Sequence, residues 1–80
     1  MPLSPLHQAL RVIGEWLRLP EDHYKAQVYL FAQRLPPENV LEAVWIAQAK
    51  LPDGGASGFK YFCGVCHNMI REQRIRQSWN

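Results

Sequence analysis

Apolar side chains recur along this chain at helical spacing, in runs separated by prolines and by one glycine-rich turn. The first run is Leu6, Ala9, Leu10, Ile13, Trp16 and Leu17. Ser4 and Pro5 stand before it as an N-cap and a proline at the first helical position, which predicts a helix over residues 5–18. Pro20 opens a second segment with Glu21 and Asp22 where the helix dipole favours acids, and Tyr24, Val28, Phe31 and Leu35 continue it, predicting a helix over 20–35. Pro36-Pro37 ends that helix and starts the next, predicted over 37–50. Its apolar residues, Val40, Leu41, Val44, Trp45, Ile46 and Ala47, cover most of the circumference, so it should be the central helix. Leu51-Pro52-Asp53-Gly54-Gly55-Ala56 reads as a loop, and Ser57 as the cap of a last helix over 58–76.

No run alternates apolar and polar residues with the period of a strand. The expected fold is all-α, a compact bundle of four helices formed by residues 1–80 as a single domain. A core this small must be well filled, and three Trp, three Tyr and three Phe supply the bulk. Hydrophobic residues at 48% with 20% charged exclude a disordered tail. No apolar stretch is long enough to span a membrane, and Met1-Pro2-Leu3-Ser4 lacks the pattern of a signal peptide, so a cytoplasmic protein is expected.

The net charge of +2 conceals an asymmetry. Residues 1–57 carry five basic and six acidic side chains, whereas residues 58–80 carry Lys60, Arg71, Arg74 and Arg76 against Glu72 alone. Such a field attracts an anionic partner, although cations at a helix end also complement its dipole. Arg71 and Arg74 share one helical face, with His67 a turn earlier on the same side.

Cys63-Gly64-Val65-Cys66-His67 carries two further readings. Read literally it is an attachment site for a c-type haem, and its paired thiols also suit half of a zinc site. Against both, Phe59, Phe62, Cys63, Cys66, Met69 and Ile70 fall on one helical face, which places the cysteines in the core stripe. His7 and His23, the remaining histidines, stand alone in other helices. Structural cysteines are the expectation, with no cofactor, and Cys63, Cys66 and His67 are kept as the alternative metal or haem set.

Nothing else suggests catalysis. The chain has no Gly-x-Ser-x-Gly, no phosphate-binding Gly-Lys-Ser/Thr ending and no His-Glu-x-x-His, so a non-enzyme is expected. Gly54-Gly55 before Ser57 reads as a flexible turn more readily than as an anion site, and the adjacent Asp22 and His23 as solvated residues pointing apart.

Leu41-Glu42-Ala43-Val44-Trp45-Ile46-Ala47, the glycine-containing loop, and then Phe59-Lys60-Tyr61-Phe62-Cys63-Gly64-Val65-Cys66-His67-Asn68-Met69 resemble the C-terminal domain of the DnaD-like replication-initiation family. The family's last helix carries a Tyr-x-x-x-Ile-x-x-x-Trp signature. Tyr61 matches its Tyr, Val65 stands for the Ile, and Met69 takes the place of the Trp, which removes an aromatic anchor. The similarity covers residues 37–72. It implies a helical module of a helicase-loading or primosomal assembly, of a kind often carried by phages and mobile elements, that binds DNA through this helix and the basic segment after it. Lys60, Tyr61, Arg71, Arg74, Arg76 and Trp79 are then the contact set, with single-stranded DNA favoured because Trp79 can stack on an unpaired base. So few phosphate contacts bind weakly, which implies a larger protein assembly or an oligomer. Recognition by a helix-turn-helix is disfavoured, since the third helix is too apolar to lie in a major groove. The alternative is a purely protein-interacting subunit, because Trp16, Trp45 and Trp79 cannot all be central in so small a core.

Overall fold

A computed structural model describes the backbone of residues 4–78 and the side chains of residues 4–76. Four α-helices and one 3₁₀ turn make up the described chain: α1 (Pro5–Leu17), the turn Glu21–His23, α2 (Lys25–Arg34), α3 (Pro37–Lys50) and α4 (Gly55–Ser78). No strand is present among the described residues. None of the helices is long and apolar enough to cross a membrane. The all-α bundle read from the sequence is the observed architecture.

Helix α1 starts as its residues dictate. Ser4 Oγ accepts a hydrogen bond from the His7 backbone N–H at 3.3 Å, and Pro5 occupies a first-turn position where a missing N–H costs nothing. The helix stops at Arg18, which adopts a left-handed conformation (φ 57°) while its N–H bonds back to the Gly14 carbonyl. Ala9, Ile13, Trp16 and Leu17 form the buried stripe.

The second segment differs from the sequence expectation of one helix over 20–35. The chain makes a 3₁₀ turn first, and the α-helix begins at Lys25. Tyr24 breaks the run: its backbone (φ −128°, ψ −21°) leaves helical geometry, and its N–H bonds to the Glu21 carbonyl at 3.2 Å. The departure accompanies burial of the Tyr24 ring, whose hydroxyl stands over Gly14 of α1. Side-chain burial here overrides the propensity of the local sequence.

Helix α3 packs against α1, α2 and α4 and is the central element, as its composition suggested. Val40, Ala43, Val44 and Ala47 are its buried face. An apolar circumference did not mean burial all round, however, for Trp45 remains 52% exposed and Ile46 41%.

The loop after α3 is held by one carbonyl. Leu51 O accepts from Trp16 Nε1 at 2.7 Å and from the Gly54 N–H at 3.1 Å. Gly54 has φ 69°, and a Cβ there would collide with the Trp16 backbone carbonyl, so the position admits only glycine. Helix α4 begins at Gly55, earlier than the expected 58, and Ser57 lies inside its first turn instead of capping it. Gly58 then passes so close to α1 that a Cβ would come within 2.9 Å of the Trp16 ring. From there Phe62 and Cys66 enter the core, with Phe62 edge-on to Phe31 of α2 at 5.9 Å between ring centroids.

Candidate functional site

Between α2 and the C-terminal half of α4 lies an open groove of about 560 Å³. Each helix contributes four residues at the same spacing, i, i+3, i+4 and i+7: Gln27, Leu30, Phe31 and Arg34 from α2, and His67, Ile70, Arg71 and Arg74 from α4. That spacing is one face of a helix, so two facing stripes make the groove. Leu30, Phe31 and Ile70 form its apolar floor, and Arg34, Arg71 and Arg74 supply its cations. The His67 ring stands edge-on to Phe31 at 5.2 Å, on the wall of the groove.

No carboxylate lines this groove among the described residues. Two basic side chains elsewhere sit beside acids: Arg11 is 3.6 Å from Glu15, and Lys25 is 3.3 Å from Glu21. Guanidinium groups gathered without an acid repel one another, and an anion relieves that repulsion. Their planar forks match phosphate or carboxylate oxygens.

The residues singled out in the sequence do not all meet in the groove. Arg71 and Arg74 line the groove. Lys60 is exposed on the same stripe of α4, since His67, Arg71 and Arg74 follow it by seven, eleven and fourteen residues; it lies about 16 Å along the axis from Arg71. Tyr61 is one position further round the helix, exposed and outside the groove. Arg76 belongs elsewhere, in a cleft between α3 and α4 whose lining includes Glu42 and Glu72. Trp79 lies outside the described residues. Sequence reasoning missed Arg34 and Gln27. Arg34 stands in the part of the chain where acids slightly outnumber bases, and its only signal is its place at the end of helix 2, seven residues from Gln27 on one face.

The Cys-x-x-Cys-His motif is divided by the helix that carries it. Cys66 is fully buried and Cys63 half-buried, and both are free thiols. Burial, with the nearby Cys63 as a second cause, pushes the Cys66 thiol up to about 12, and burial raises Cys63 as well. Metal binding and thioether formation both draw on thiolates, which this environment disfavours. His67 meanwhile belongs to the groove wall. Among the described residues no group of three or more His, Cys, Asp or Glu side chains is placed to hold a metal ion.

Comparisons with family models, with curated proteins and with solved structures find no match for the chain.

Proposed function

We propose that this protein is a non-catalytic helical module of a nucleoprotein assembly that holds the backbone of a nucleic acid, single-stranded DNA foremost, in the groove between α2 and α4. The observation that carries the reading is the convergence of Arg34, Arg71 and Arg74 on one groove with no carboxylate in its lining. Lys60 extends the cationic stripe along α4, so a strand leaving the groove still meets positive charge. Cytoplasmic action and a role in replication initiation follow from the resemblance and belong to the same proposal.

The test is fluorescence anisotropy of a labelled single strand over a salt series. Three guanidinium–phosphate contacts give a log–log slope of about −2, a loss of roughly fifteenfold in affinity between 50 and 200 mM salt. Arg34→Ala/Arg71→Ala/Arg74→Ala flattens the slope, whereas Arg76→Ala, across the helix, leaves it nearly unchanged. A second reading, a protein-interacting subunit, draws on the exposure of Trp45 and Ile46 on α3. Absence of strand binding at low salt sinks the first reading and transfers the protein to the second.

A further inference from the structure

Cations alone do not account for the groove between α2 and α4. Leu30 is 52% exposed in it, beside Phe31 and the half-buried Ile70, so an apolar strip lies open to water between guanidinium groups. A bound phosphate leaves that strip wet. At three of the four positions the helices match: a hydrogen-bonding group (Gln27 or His67), then an apolar residue (Leu30 or Ile70), and a cation at the last position (Arg34 or Arg74), while the third position carries Phe31 on α2 and Arg71 on α4.

We infer that the groove takes an unpaired nucleotide, with its phosphate on Arg34, Arg71 and Arg74 and its base laid over Leu30 and Ile70. This rests on the nucleic-acid reading and deepens it by naming the unit bound. A base offers an apolar face to the strip, and its edge offers donors and acceptors to the Gln27 amide and the His67 imidazole. In a duplex the bases are stacked and paired, so only phosphates reach such a groove and the floor stays uncovered. The volume of about 560 Å³ lies within the range of small-ligand sites.

Four probes decide it by anisotropy at low salt: oligothymidine, an abasic strand of equal length, a duplex, and oligoglutamate as competitor. The expected result is that oligothymidine binds about fivefold or more tightly than the abasic strand and than the duplex. Leu30→Ala, at a position exposed enough to spare the fold, abolishes the preference over the abasic strand. Arg71→Ala weakens both strands. Equal binding of the base-bearing and abasic strands overturns the inference while keeping backbone binding. Displacement by oligoglutamate as effective as by oligothymidine, with the same dependence on Leu30, overturns it in favour of an acidic protein segment. Failure of every polyanion to bind removes the nucleic-acid reading itself. The comparison of strands on the wild-type protein decides the matter even where Leu30→Ala fails to fold, which far-ultraviolet circular dichroism reports.

Discussion

Cys66 shows how one buried side chain ties the fold to pH. Its thiol is pushed up to about 12 in the folded state, whereas an unfolded chain ionises it near the ordinary value of 9.0. Between those values the folded protein keeps a proton that the unfolded chain has lost, so stability falls as pH rises. The contribution is complete below 9.0 and is lost at about 1.4 kcal/mol per pH unit on the way to 12. Urea melts at pH 8, 9.5 and 10.5 should show the decline, and Cys66→Ala should remove the share due to this thiol. An unchanged slope in the variant would mean that the thiol is more hydrated than its burial indicates. The sequence supplied the cysteines' place here: the offsets that put them with Phe62 and Met69 on one helical face outweighed a motif that read as haem attachment. The separation of His67 from them was legible only in part. Its neighbour in space, Phe31, comes from another helix, and no spacing within α4 announces it.

At the scale of elements, the boundaries marked by proline were legible and those set by tertiary contacts were not. Pro5, Pro36 and Pro37 act through their own rings, so α1 and α3 begin where the sequence places them. The start of α2 depends on a tyrosine that turns onto α1, and the start of α4 on how closely Gly54 and Gly58 approach Trp16. The α3–α4 connection is the sharper case, because Gly54 combines a positive φ with contact against the Trp16 carbonyl. Gly54→Ala should cost about 2–4 kcal/mol, since the new Cβ must displace backbone as well as strain its own dihedral. Gly55→Ala is the control: it shares φ 69° but meets nothing within 4 Å, so it should cost only the dihedral strain of about 1–2 kcal/mol. Equal losses in the two variants would show that the dihedral, and not the approach to α1, fixes the turn. The exposure of Trp45 has the same kind of origin. Composition showed α3 to be apolar all round, but three neighbouring helices cover only part of a cylinder, and which part stays open is a property of the assembled bundle.

For the whole molecule, the groove sets stability against binding. Arg34 comes from α2 and Arg71 and Arg74 from α4, so folding brings these charges together from segments far apart in the chain. The acid-poor character of the C-terminal part was legible in the sequence; the partnership with Arg34 required the bundle. Arg71 lies away from the helix ends and three residues from Arg74, so its charge has little dipole to complement and a like charge beside it. Arg71→Gln keeps a side chain of similar length and helix propensity while removing the charge. The variant should therefore be more stable than the wild type by about 0.2–0.5 kcal/mol at low ionic strength. At 1 M salt, where the screening length is about 3 Å, the gain should vanish. Affinity for a single strand should fall in the same protein, because the repulsion removed is the repulsion that an anion relieves. Urea denaturation at the two salt concentrations, with anisotropy on the same samples, measures both. A variant less stable than wild type at low salt would show that Arg71 has a favourable partner within the fold, and the groove would then be a structural ion network with no need of an anion.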